Sequence, residues 1–261
     1  MVKIRLIPVL YIKNGLIVRS ENFEEHKIIG NVINEVERYN QWNIDELVYI
    51  DISREKSYDS RRDDHKVKRI SSIEEALELI AKKCFMPLSF GGGIRSLKQI
   101  KYFLKNGADK VIVNTILHKQ PTIVQEAVAL FGAQAIVASL DYKLEHGDMV
   151  FYMENGTERI DKNLEEITQY IQQLGCGEVF LTSIDNDGAG EGYDLTSIQK
   201  AVDSFNIPVV ACGGAIDIFD FEEAATIKNL SGIAAGNMFH FTENIYPRSK
   251  KKLKEKKLNF R

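Results

Sequence analysis

Cysteine is scarce in this chain: Cys84, Cys176 and Cys212 are the three in 261 residues. An odd, scattered set with no CxxC spacing argues against a disulfide framework and points to reduced thiols in the cytoplasm. No apolar run approaches the roughly 18 residues that a membrane span requires. The N-terminus, MVKIRLIPVL, has a short apolar stretch without a small-residue cleavage site. It fits a first strand rather than a signal peptide. Charge of one sign is also missing: the net value is −3, and global charge therefore predicts no nucleic-acid partner. No metal or other cofactor is expected.

What remains is an ordinary globular composition, 44% hydrophobic and 27% charged, on a chain long enough to bury one large core. Two segments depart from it. Residues 53–72 carry seven Lys/Arg against four Asp/Glu, and the tail 248–261 carries eight Lys/Arg against one Glu. The first is expected to be a long charged loop, the second a basic, solvated helix end.

Short β-rich runs alternate with amphipathic helical patterns. Strands are predicted at 4–10, 46–52, 86–90, 110–114, 134–141, 177–184, 207–212 and 231–236. Helices are predicted near 31–42, 72–83, 96–106, 121–131, 162–174, 194–204, 217–228 and 242–257. The strands are continuous apolar runs, the pattern of parallel strands covered by helices. Eight such βα units predict a single (β/α)8 TIM barrel domain over 1–261. The halves echo each other: FGGGIRSLKQI (90–100) with CGGAIDIFDF (212–221), and DELVYIDIS (45–53) with GEVFLTSID (177–185). These echoes predict a two-fold half-barrel repeat. It makes strands 1 and 5 counterparts, so Tyr11 stands where symmetry places the carboxylate Asp141.

Barrel chemistry sits at the C-terminal ends of the strands. GGGIRS leaves strand 3 and opens a helix, with Asn114 and Thr115 ending strand 4 beside it. CGGA and AAGN, after strands 7 and 8, form a second glycine cradle. Such turns let backbone amides and helix N-termini face an anion. Two cradles imply a long phosphorylated small molecule with a phosphate at each end. Between them lie Asp51, Asp141, Asp185 and Asp187. Asp141, ending an apolar strand, is the expected general acid/base, since an unused carboxylate there is costly. At the opposite end Arg5, Glu46, Lys110 and Glu178 each start a strand. They are expected to form a neutral charged ring, whose burial is no clear gain in stability and hence hints at function.

GGGIRS, NGADKVIVNT, LTSIDNDG, YDL, IPVVACGGA and MFHF occur in this order, and with them nearly the whole chain resembles the cyclase subunit of imidazole glycerol phosphate synthase, the HisF family. The resemblance implies a barrel docked at its bottom face on a HisH-like glutaminase. Ammonia released there would travel up the barrel to a ribulosyl aminoimidazole carboxamide substrate, which is cleaved and cyclised to imidazole glycerol phosphate in histidine biosynthesis. By resemblance, Arg5, Glu46, Lys110 and Glu178 are the ammonia gate. Gly93, Asn114 and Thr115 match one phosphate site; Asp187, Gly188, Gly213, Gly214, Ala235 and Gly236 match the other. Asp141 matches one of two catalytic aspartates.

The chain departs from the family pattern at the substrate end. Tyr11 replaces the second aspartate, Gly236 a serine and Arg19 a lysine, and the 53–72 loop is longer. A phenol is mostly protonated at neutral pH, whereas a carboxylate can act as a base. RLIPVLYIKNGLIVRSENF resembles a HisF-like branch that works with a HisH-like glutaminase and a separate ATP-dependent amidotransferase. In that branch an N-acetyl group on a bacterial surface sugar becomes an acetamidino group, and the barrel serves as ammonia conduit and scaffold.

Overall fold

A computed structural model describes residues 3–53, 58, 70–241 and 244–261. The chain opens with β1 (Arg5–Lys13), β2 (Leu16–Glu21), β3 (Glu25–Asn31) and α1 (Val32–Trp42). β4 (Leu47–Asp51), α2 (Ile73–Ala81), β5 (Leu88–Gly91), α3 (Leu97–Lys105), β6 (Lys110–Val113), α4 (Thr115–Lys119) and α5 (Pro121–Phe131) complete the first half. The second half holds β7 (Ile136–Glu145), β8 (Asp148–Met153), β9 (Glu158–Arg159), α6 (Leu164–Leu174), β10 (Glu178–Ser183) and α7 (Leu195–Ser204). It ends with β11 (Val209–Cys212), α8 (Ile218–Ala224), β12 (Gly232–Ala235), α9 (Met238–Phe241) and α10 (Ile245–Glu255).

Eight of these strands close a parallel ring in the order β1-β4-β5-β6-β7-β10-β11-β12, with β12 returning to β1 and β7 pairing β10. This is the (β/α)8 barrel that the alternating pattern predicts. Period-two geometry sorts the side chains. Leu47, Tyr49, Phe90 and Val111 point outward into the layer between strands and helices. Ile7, Val48, Ile112, Val137, Phe180 and Val210 point inward and make a separate apolar cluster along the barrel axis. Strands buried on both faces need the continuous apolar runs seen in the sequence.

Local chemistry sets the helix ends. Asn163 accepts from the Glu166 amide at 3.0 Å while Glu166 accepts from the Asn163 amide at 2.9 Å, a capping box that starts α6. The left-handed Gly175 ends it.

Two features exceed the sequence expectation. β1 and β7 both run past the barrel rim and fold back as hairpins, β1–β2–β3 and β7–β8. Their turns, Asn14-Gly15 and His146-Gly147, each place two residues at positive φ, the geometry of a tight hairpin turn. The basic tail is more than a solvated face: Lys250 pairs with Asp45 at 2.6 Å, and Lys252 and Lys256 both reach Glu222. Most of the 53–72 segment lies outside the described residues. Within it, Tyr58 is buried, and its hydroxyl donates to Asp51 Oδ2 at 3.0 Å.

Candidate active site and basal charge ring

At the bottom of the barrel four side chains close a ring of alternating charge. Arg5 bonds Glu46 at 2.5 Å and also bonds Glu178; Lys110 bonds both oxygens of Glu46 at 3.1 Å and Glu178 at 2.6 Å. Each residue starts or immediately precedes a strand whose next inward position is Ile7, Val48, Ile112 or Phe180. Ser89 adds a hydroxyl that donates to Glu46 at 2.5 Å. Burial opposes ionisation of Glu46, but Arg5 and Lys110 outweigh it and lower its pKa. Burial likewise opposes the Arg5 charge, and Glu178 and Glu46 reverse the effect.

At the top, Tyr11 and Asp141 occupy equivalent places on β1 and β7. Tyr11 pairs across the ring with Ile50, Asp141 with Thr182. Both are buried. Asp141 receives the Asn114 amide at 3.1 Å and the Ser139 hydroxyl at 3.4 Å. Burial, with a smaller contribution from Asp187 and against the Ser139 hydrogen bond, raises its pKa to about 7. Tyr11 packs in the same interior cluster as Cys212. Burial first, then Cys212, Asp187 and Asp141, pushes this phenol well above its usual value of 10.

Of the four strand-end carboxylates predicted between the cradles, Asp141 and Asp187 are buried at the top of the barrel, with the Asp187 charge acting on Asp141. Asp51 turns outward and accepts from the Ser53 amide and the Tyr58 hydroxyl. Asp185 is exposed and accepts from the Leu144 amide at 3.0 Å, bracing the β7 extension. Asp187 is buried beneath the β2–β3 hairpin. Burial raises its pKa to about 6, although Ser20 and Phe23 of that hairpin pull it down.

The two cradles differ. Around the first, a β-carbon added at Gly93 would meet open space. Asn114 and Thr115 flank it, Thr115 Oγ1 accepting from the Glu154 amide at 3.3 Å. Glu154, at the end of the β8 hairpin, also binds Arg95 and Lys119. Around the second, Gly213 and Gly214 follow β11, Ala235 ends β12 and Gly236 follows it. Here the β2–β3 hairpin docks: the Asn22 amide donates to the Asp187 carbonyl at 2.7 Å, and Asn237 donates to the Ser20 carbonyl at 2.7 Å. Gly188 lies so close that a β-carbon there would sit 2.3 Å from the Ser20 oxygen. Beside this contact is a pocket of about 460 Å3 lined by Arg19, Gly188, Asn237 and Lys252 among others.

The family model described as "Histidine biosynthesis protein" matches residues 5–244. The chain is 34% identical over 257 residues to the imidazole glycerol phosphate synthase subunit HisF of Chloroherpeton thalassium, covering 98% of each chain. It is 32% identical to the same-named subunit of Alkaliphilus metalliredigens over the full length of both, and 35% identical to that of Natranaerobius thermophilus over 98% of each. This chain belongs to the HisF family.

Three residues around Tyr11, Asp141 and the first cradle are not singled out by the sequence. Cys212 looks like ordinary core in an apolar strand, and only strand periodicity places it inward beside Tyr11. Ser139 precedes Asp141 by two on the same inward face. Glu154 sits on a hairpin that the sequence pattern did not reveal. Among the described residues no helix is long and apolar enough to cross a membrane.

Proposed function

We propose that this chain is the ammonia-receiving subunit of a glutamine amidotransferase complex, seated by its bottom face on a HisH-like glutaminase in the cytoplasm. The observation that carries the reading is the closed ring of Arg5, Glu46, Lys110 and Glu178 beneath an interior lined by Ile7, Val48, Ile112, Val137, Phe180 and Val210. Buried ionic rings are weak stabilisers. A ring with polar groups below and an apolar bore above suits the passage of a small neutral molecule and opposes ions, whose transfer to an apolar medium is strongly unfavourable.

Tyr11 governs the chemistry available at the top. Cyclisation of the ribulosyl substrate needs two proton-handling groups on opposite sides. The buried phenol stays protonated at neutral pH and cannot replace a carboxylate base. The barrel is therefore a conduit that passes ammonia to a separate ATP-dependent amidotransferase, in the acetamidino modification of a surface sugar. A retained cyclase is the second reading, favoured by Asp141 at about pKa 7 and by the open space over Gly93. The purified chain, given the ribulosyl substrate and an ammonium salt, should not turn over, and Tyr11→Asp should restore part of the reaction. Turnover by the unaltered chain that disappears in Asp141→Asn would establish the cyclase instead. In complex with its glutaminase, Lys110→Ala should uncouple glutamine hydrolysis from ammonia delivery; unchanged coupling rejects the conduit.

A further inference from the structure

The turn between β8 and β9 carries a carboxylate into the positive charge beside the first cradle. Glu154 lies between Arg95, just past the glycine turn that follows β5, and Lys119, the last residue of α4. Arg95 Nη1 and Nη2 donate to the two Glu154 oxygens at 3.2 Å each. Lys119 donates to Glu154 at 3.1 Å and to Glu158 at 2.8 Å. The Glu154 amide donates to Thr115 Oγ1 at 3.3 Å, so the same turn engages the hydroxyl of a cradle residue. The Arg95 hydrogen bond, against burial and with that of Lys119, holds the Glu154 carboxyl below its usual pKa. It is an anion at neutral pH. The glycine side of the cradle stays open, since a β-carbon on Gly93 would meet nothing within 4 Å.

Backbone geometry makes glutamate a poor choice for this turn. Glu154 and Asn155 have φ of 51° and 57°, a left-handed region that asparagine tolerates and glutamate disfavours. The ion pairs hold Glu154 there, and they are of the readily exchanged kind, because Arg95 and Lys119 are 58% and 43% exposed. The far side of the turn touches the other hairpin. A β-carbon on Gly156 would lie 3.4 Å from the Phe23 ring and 3.2 Å from Ile184. β1 and β7 stand on opposite sides of the eight-strand ring, so hairpins rising from opposite sides meet above it.

We infer that Glu154 is an internal counter-anion of the first cradle, and that a phosphate monoester displaces it and releases the β8–β9 turn from Phe23. An incoming dianion needs the two cations that Glu154 holds and is repelled by its carboxylate. A ligand that binds only where the turn is released draws the turn open. By linkage, whatever releases the turn raises the affinity for that ligand. Glu154 also sets specificity. Because it is tethered, it competes at a high effective concentration, and a free monoanionic carboxylate does not replace it. A phosphate dianion does, gripped on two oxygens by the Arg95 guanidinium. The device concerns the first cradle alone and serves a conduit and a cyclase alike.

Isothermal titration of the full chain with inorganic phosphate at constant ionic strength, paired with amide hydrogen exchange, tests this. Phosphate should bind saturably and speed exchange across residues 154–158. Glu154→Gln alters a partly exposed turn and leaves the barrel core intact. It should bind phosphate at least about threefold more tightly. Its 154–158 segment should exchange fast from the outset and gain nothing from phosphate. Acetate should leave the parent unchanged. Phosphate that does not bind, or that binds without quickening 154–158, overturns the inference, as does equal affinity in the two proteins or acetate acting as phosphate does. Tighter binding by Glu154→Gln with no phosphate effect on exchange in the parent means that Glu154 only repels the ligand, and rejects displacement. None of these results bears on the Lys110→Ala coupling test, so the latch and the conduit stand or fall separately.

Discussion

Burial acts on Tyr11 and Asp141 in the same direction with opposite results. A carboxyl lifted by desolvation moves from below the physiological range into it; a phenol starts above that range and is driven further away. Tyr11 therefore exchanges no proton in the range where Asp141 does. Asp141 also carries a stability cost with a defined sign. Its carboxyl titrates near 3.9 in the unfolded chain and about 7 in the fold, so the folded state holds the extra proton between these values. Stability falls as pH rises through that window and is flat above it. Asp141→Asn abolishes this term, and urea unfolding across the window should find the variant gaining on the parent by roughly 2–4 kcal/mol as pH rises. Asp141 was legible in the sequence because a carboxylate ending an apolar strand contradicts its surroundings. Its partners were not: Cys212 and Ser139 are small residues unremarkable in any core, and their role comes only from lying inward on closed strands.

The helices were legible at the level of the element. Amphipathic spacing predicts 96–106 and 162–174, and the structure forms Leu97–Lys105 and Leu164–Leu174. The hairpins were not. Asn14-Gly15 is a strong turn signal, but β3 carries no buried residue and so no alternation to mark it. β3 is held by pairing with β2, whose end is anchored by contacts of Ser20 and Asn22 with Asn237 and Asp187, distant in sequence. Asn237→Ala removes the donor to Ser20, so amide exchange across Leu16–Asn31 should accelerate while the barrel strands keep their protection. At α6, loss of the capping box in Asn163→Ala should lower unfolding free energy by about 1 kcal/mol, measured by denaturant titration.

At the scale of the whole molecule, the ring of eight strands and the half-barrel echo could be inferred from repeat spacing alone. The tail could not be placed, because its acidic partners, Asp45 and Glu222, lie far away in the chain. The charge ring is a different case: four residues scattered over the sequence meet only because barrel closure brings four strand starts to one axis. Removing one member strands its neighbours. Glu178→Ala leaves Arg5 and Lys110 sharing Glu46 in a buried setting and should cost about 3 kcal/mol in thermal or denaturant unfolding.

The apolar lining of the barrel interior bears on the proposed conduit. A wall of Ile7, Val48, Ile112, Val137, Phe180 and Val210 offers no solvation to a cation, so such a passage would sort nitrogen by protonation state, admitting ammonia and turning ammonium back without any moving part.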